Sequence, residues 1–536
     1  MLARTLLRSH VRPVGLSAQA LAPARTFSTS PRYLKPAVET ISSSTPSPPP
    51  PTMKAGKGEG TIASVFATLS GGTLEDALPD RFADLKRSLV TSPSHAEHLQ
   101  TTWRSVLSAL SARVAETERL GGDSIPEVTF PSTSDVGPLQ SWTDASTYEA
   151  IQQRGVAVIR NVIPSEQVLA WKEDIKAYAA RNNAKGFPDD NPQVYELYWT
   201  PAQQAARTHP NLLTTSERFL QLFHQPASNS ALGVDTTAVL GQPLNYCDRL
   251  RIRQPGDAKF ALGAHIDGGG VERWECDNFR GLWSSILQEK GDWTKHDPWS
   301  LGANGERMTA KTDMYDGPGQ CAVFRPLQGW LSMSTTRAGE GTLKVLPFLR
   351  ESTAYIVLRP FFQPLIPRAQ CSTEAQFLHA DNWVLDTTSR RFPGCSLGHN
   401  IELSSTTHPH LALDKTMISI PHVNPGDMVL WHCDAVHSVE NTHRGKSDSS
   451  VLYIPAIPTT KVNWSYIMNQ RQCFERGVPP PDFPGGKGES DAHGRAIPDQ
   501  VAGQKARTSL GLAKFNLDAA TSAPERALLE WCNSQL

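Results

Sequence analysis

The stretch Gly263-Ala264-His265-Ile266-Asp267-Gly268-Gly269-Gly270 sets an imidazole and a carboxylate two residues apart, just ahead of three glycines. In an extended strand side chains alternate, so both groups point to the same face. The glycines that follow let the backbone turn sharply and leave room beside the pair. One nitrogen and one oxygen on a shared face are two of the three ligands of the facial triad that holds mononuclear non-haem iron(II). An H-x-D also arises as a surface histidine beside a turn aspartate, so the rest of the chain must supply a third ligand and a scaffold.

The third ligand should be a distant histidine, and Pro425-Gly426-Asp427-Met428-Val429-Leu430-Trp431-His432-Cys433-Asp434-Ala435-Val436-His437 offers two. His432 ends the apolar run Met428–Trp431, and His437 follows after a short polar break. On the residues alone either could close the site, and either could instead be a core histidine bonded to backbone.

The scaffold is legible in outline. Leu99, Trp103, Val106, Leu107, Leu110 and Val114 recur at three- and four-residue steps, predicting a helix over Ala96–Leu120 that Gly121-Gly122 stops. Around Tyr148–Ile175 a short helix ends at Gly155, a β-branched strand follows, and Ser165 is placed to cap a further helix. After Leu244 the chain becomes strand-rich. Arg249, Arg251 and Arg253 alternate with Leu250 and Ile252, then come the H-x-D and a tryptophan-rich insertion from Val271 to Trp299. Strands are expected again at Gln320–Arg325, Gly329–Met333 and Gly339–Pro347. Many short strands with turn signals predict a mainly β, α+β domain: a double-stranded β-helix (jelly-roll, cupin-like) core with helices packed outside.

Composition excludes several classes. The net charge of −1 over 536 residues provides no whole-chain field for nucleic acid or an anionic membrane. No apolar run approaches the roughly 20 residues needed to cross a bilayer. The eight cysteines include no C-x-x-C pair, against a structural zinc site or a secreted disulfide scaffold. The expected partners are a small-molecule substrate and O2; oligomeric state leaves no signature.

"HIDGGGVERWE", "FRPLQGWLSMS", "GEGTLKVLP", "YIVLRPFF", "THPHL", "PGDMVLWHCDAVHSVEN", "SSVLYIPAIP" and "PPPDFP" occur in that order. Together they resemble the YbiU-like domain-of-unknown-function family of bacteria and fungi, over roughly residues 130 to 500. The "RGVAVIRNVI" entry resembles that of the phytanoyl-CoA hydroxylase-like Fe(II)/2-oxoglutarate oxygenases. The resemblance implies a β-helix core and selects the histidine after the turn, so His265, Asp267 and His437 are the expected metal ligands. It implies Fe(II) and 2-oxoglutarate as cofactors. The far carboxylate of the oxo-acid would need a cation, and an arginine fork suits it. Arg444 is nearest in sequence to the position the resemblance indicates, Arg325 is the other candidate, and Ser449 could add a hydrogen bond. Arg273, Trp274 and Gln328 are candidate pocket residues. The strand that follows His443-Arg444 begins with serines and carries no arginine, which keeps two alternatives open: a cupin-like metalloenzyme that does not use 2-oxoglutarate, and a non-catalytic metabolite-binding β-helix protein.

The N-terminus is of a different kind. Met1 to Lys35 contains no Asp or Glu, while Arg4, Arg8, Arg12, Arg25 and Arg32 recur among Leu, Ala and Ser. That is the composition of a mitochondrial transit peptide, and Arg25-Thr26-Phe27-Ser28-Thr29-Ser30 resembles a two-step matrix-processing signal. The expected organisation is a transit peptide over 1–34, a disordered Ser/Pro-rich linker over 35–60, an N-terminal helical region over 61–129, and the oxygenase-like domain with a C-terminal extension over 130–536. The expected location is the mitochondrial matrix, the alternative the cytoplasm. Residues 1–34 fused to a fluorescent reporter should carry it into mitochondria; a diffuse cytosolic signal would count against the transit peptide.

Overall fold

The structure, a computed structural model, describes residues 60, 62–70, 78–132, 136–225, 232–259 and 261–536. The expected transit peptide and all but the last residue of the expected linker lie outside the described residues. That last residue, Gly60, is buried, and a Cβ there would meet Pro318 at 2.7 Å.

The predicted long helix spans Pro93–Leu120, starting three residues before the apolar repeat. Ser92 caps it by accepting the His95 N–H at 3.0 Å, and Gly121, at φ +52°, ends it. Its apolar stripe packs on the helix Leu349–Leu358, with Trp103 stacked on Phe362 at 4.3 Å. The helix Ala145–Arg154 ends at Gly155 in the left-handed conformation and delivers the strand Val156–Arg160. Ser165 does not cap the next helix, Ser165–Arg181. It is the first helical residue, and its hydroxyl donates to the Pro425 carbonyl at 2.6 Å.

The chain is a mixed α+β fold with two main sheets. The larger has eight strands in the spatial order Glu127–Thr129, Val156–Arg160, Met428–His432, Leu327–Ser332, Ser449–Tyr453, Leu250–Arg253, Val194–Tyr195 and Gly186–Phe187. Only its first pair is parallel. The smaller has five, all antiparallel, in the order Ile401–Glu402, His265–Ile266, His437–Val439, Leu343–Val345 and Ile418–Ser419. Val156, Ala157, Val158 and Ile159 are all buried, as befits a strand packed on both faces. They share a core with Met428–Trp431 and with Leu343 and Val345 of the smaller sheet. The strand expected over Gln320–Arg325 does not form. The N–H groups of Ala322 and Phe324 go instead to the side chains of Asp482 and Asn463. The tryptophan-rich stretch folds into the short helices Glu272–Glu275, Asp277–Gly281 and Ser284–Leu287, with Trp274 and Trp283 fully buried.

The two sheets are joined at Cys433–Val436, between Met428–His432 of the larger and His437–Val439 of the smaller. Asp434 holds this crossing. Its carboxylate takes Arg273 at 2.8 Å and Arg307 at 3.0 Å, with all three side chains almost wholly buried. Desolvation alone would raise its pKa, but the two guanidinium charges keep the carboxylate well below its ordinary range. Asp434→Ala would leave two buried cations without a counter-charge, at a cost of about 3–5 kcal/mol. A clear drop in the urea midpoint should report it, and an unchanged midpoint would contradict this account.

Candidate metal centre

His265 lies on the short strand His265–Ile266, and His437 opens the strand beside it. In the antiparallel register these two histidines are directly opposite each other. Cross-strand partners share a face, and the two rings stand 4.1 Å apart between centroids. Asp267, two residues beyond His265, turns its carboxylate toward both. His265 Nε2 is 3.7 Å from one oxygen and His437 Nε2 is 3.7 Å from the other. The ligating atoms of all three lie within 4.8 Å of one another.

The tautomers follow from the partners. His265 Nδ1 is 2.7 Å from the Gly263 carbonyl, and His437 Nδ1 is 3.1 Å from the Ala435 carbonyl. A carbonyl can only accept, so each Nδ1 carries the proton and each Nε2 presents its lone pair to the centre. Burial pushes the His265 pKa down to about 4, with the neighbouring His437 adding to the shift. Burial alone would raise the Asp267 pKa, but its polar neighbours His437 and His265 and the Arg325 guanidinium hold it well below the ordinary carboxylate range. A neutral imidazole and an ionised carboxylate are the states that a divalent metal binds.

The glycines serve this geometry by close approach. A Cβ on Gly269 (φ +96°) would lie 2.8 Å from the Thr312 carbonyl oxygen, and one on Gly270 2.5 Å from that of His399. Asn400, beside this turn, donates through Nδ2 to Asp267 at 2.8 Å. Its own Oδ1 is buried with no hydrogen-bond partner.

His432 is a core residue. Its Nε2 reaches the Pro298 carbonyl at 3.0 Å and its Nδ1 accepts the Asp434 N–H at 3.0 Å. The ring stacks on Phe223 at 5.2 Å, and Trp299 meets it edge-on. Both ring nitrogens are occupied and Asp434 is spent on two arginines, so two of the three donors in the cluster His432, Cys433 and Asp434 are already engaged within the protein.

A cavity of about 160 Å³ opens on His265, Asp267 and His437. The other residues proposed from the sequence are placed unevenly around it. Gln328 lines it. Arg325 lines it too, but its guanidinium pairs with Asp267 at 3.3 Å, so it is not a cation waiting for a ligand. Arg444 is exposed in the hairpin, with its backbone N–H on Gly339. Ser449 is buried opposite Arg253 in the larger sheet, away from the cavity. Arg273 is committed to Asp434 and the Asp267 carbonyl and faces a smaller neighbouring cavity. Trp274 is core, its Nε1 donating to Val357 at 3.0 Å.

Arg251 was missed as a site residue. It lies on Leu250–Arg253, lines the cavity and is 4% exposed. Arg249 pairs with Asp248 and Arg253 with Asp257. Among the described residues no carboxylate stands within 4 Å of Arg251, whose Nη2 donates only to the Gly341 carbonyl at 3.2 Å. Tyr453 lines the cavity as well; burial raises its pKa and the Arg251 charge opposes the rise.

His265→Ala and His437→Ala should each abolish tight Co(II) or Fe(II) binding in calorimetry. His432→Ala should lower thermal stability and change metal affinity by less than about tenfold, below the usual effect of losing a group that orients a ligand. Loss of metal binding on replacing His432 would overturn the assignment of the turn.

A family model described as Gig2-like matches residues 76–512. The Uncharacterized protein YbiU of Escherichia coli (strain K12) is 28% identical over 436 residues, covering 78% of this chain and 94% of its own. The crystal structure of GlcNAc Inducible Gene 2 from Candida albicans superposes with a TM-score of 0.73 at 29% identity, covering 86% of this chain and 95% of that one. A hypothetical protein from Escherichia coli gives a TM-score of 0.66 at 27% identity, over 82% of this chain and 99% of its own. With the matched segment running from before the long helix to beyond the second sheet and the candidate centre, this chain belongs to the Gig2-like family.

Proposed function

We propose that the chain is an Fe(II)- and 2-oxoglutarate-dependent oxygenase of a small-molecule substrate, its two sheets forming a double-stranded β-helix around the metal. The observation that carries this reading is the convergence of two bare Nε2 atoms and one ionised carboxylate at the mouth of a cavity. This donor set suits iron(II) and leaves coordination positions open. Arg251 fits the second cofactor: a buried guanidinium with no carboxylate partner is costly unless an anionic ligand meets it, and the far carboxylate of 2-oxoglutarate is such a ligand. Arg251, with the Tyr453 hydroxyl, would hold it there, in the role first sought at Arg444 or Arg325. When bound, iron(II) and 2-oxoglutarate supply, with O2, the oxidising power to functionalise an unactivated C–H bond. The chain's own part is to hold Nδ1 protons on the Gly263 and Ala435 carbonyls, to keep Asp267 ionised and oriented, and to exclude water with Trp330, Trp431 and Phe66, which line the cavity. The proposed location is the mitochondrial matrix, on the composition of residues 1–34.

A second reading, a cupin-like metalloenzyme that does not use 2-oxoglutarate, is favoured by one observation: the strand Ser449–Tyr453, which follows the distal histidine, carries no arginine. Anaerobic Fe(II) loading followed by 2-oxoglutarate titration separates the two, read by the weak visible charge-transfer band. Wild-type chain should develop the band. Arg251→Ala should weaken 2-oxoglutarate by about 30-fold or more, as for a truncated buried charge contact, with iron affinity retained, and Arg444→Ala should change neither. Iron binding without a band in the wild type would put the second reading first.

A further inference from the structure

Residues 62–70 lie against the candidate centre, and nothing in the H-x-D pattern announces them. The short helix Ile62–Val65 leads into Phe66 and Ala67, which are 4% and 2% exposed. Phe66 meets the His265 ring edge-on at 4.7 Å, with the planes at 75°. Val65 and Phe66 line the same cavity as the three candidate ligands.

The segment is fastened to the strand that pairs with the H-x-D. Ile401 and Glu402 are the cross-strand partners of Ile266 and His265. Thr68 donates its N–H to Glu402 at 3.1 Å and its hydroxyl to the other oxygen of the same carboxylate. Asn400 faces both ways. Its backbone N–H donates to the Val65 carbonyl at 2.9 Å, while its side-chain Nδ2 holds Asp267 at 2.8 Å.

We propose that residues 62–70 form a strap over the metal chamber and that Asn400 is the positioning residue that makes docking of the strap and orientation of Asp267 a single event. The inference rests on the metal reading above. Two sites that bias one element are coupled reciprocally. Metal on Asp267 therefore protects the strap, and a docked strap slows loss of the metal. The two bonds of Asn400 come from different atoms, which lets them be cut separately. Thr68→Val releases the strap and leaves the Asn400–Asp267 bond in place. Asn400→Ala removes the Asp267 bond and leaves the backbone donor to Val65.

The full chain is loaded with Co(II), and its visible spectrum, its rate of capture by excess EDTA, and hydrogen exchange across residues 62–70 are followed. With coupling, each variant disturbs both ends. Thr68→Val, whose site of change is solvent-exposed, should speed Co(II) release about tenfold, the scale of an outer-shell contact. Asn400→Ala should alter the Co(II) spectrum and also raise exchange in residues 62–70. Asn400→Ser is the second variant if the alanine chain does not fold, and Phe66→Ala should speed release without altering the spectrum. If Thr68→Val changes only strap exchange while the Asn400 variants change only the spectrum, the proposal is overturned. A folded wild-type chain that takes up no Co(II) would sink the metal reading itself, an outcome visible before any variant is made.

Discussion

The pairing of His437 with His265 across two antiparallel strands is the constraint on which the centre depends. A shift of one residue in that register would turn one imidazole to the opposite face of the sheet. Two features hold the register. On one side, Val345 pairs with His437 and Leu343 with Val439, so the neighbouring strand is also locked. At the crossing from the larger sheet, Asp434 binds two buried arginines and the Asp434 N–H binds His432, which sets how many residues separate the last position of one strand from the first of the next.

Burial of charge organises the rest of the site. Arg253 is fully buried, but Asp257 and the carbonyls of Glu440 and Asn441 satisfy it. Arg325 sits on Asp267. Arg251 has only a carbonyl. In a low-dielectric interior the first two are compensated by protein carboxylates, and the third is not. The same contrast separates the histidines: His432 has both nitrogens occupied within the core, whereas His265 and His437 each spend one nitrogen on backbone and leave the other bare.

Much of this was legible in the residues. The H-x-D with its glycines, the helix ending at Gly121 and the strand after Gly155 rest on local spacing, which a sequence encodes directly; the choice of His437 over His432 came from the family resemblance, because spacing alone left both open. Gln320–Arg325 misled because its composition suits a strand, whereas the distant side chains Asp482 and Asn463 take its N–H groups. Ser165 misled in the same way, since a hydroxyl able to cap a helix found the Pro425 carbonyl nearer.

The sequence by itself determined which side chains could chelate a metal and on which elements they would lie, because alternation along a strand and turn chemistry are properties of neighbouring residues. Only the tertiary structure decided which arginine is left without a carboxylate, since Arg249, Arg251 and Arg253 look alike in a strand and differ only in what packs against them. It also decided that Phe66, some 200 residues before the first candidate ligand, covers that ligand's ring. Such contacts come from the closure of the whole chain around one cavity, and no local pattern carries them.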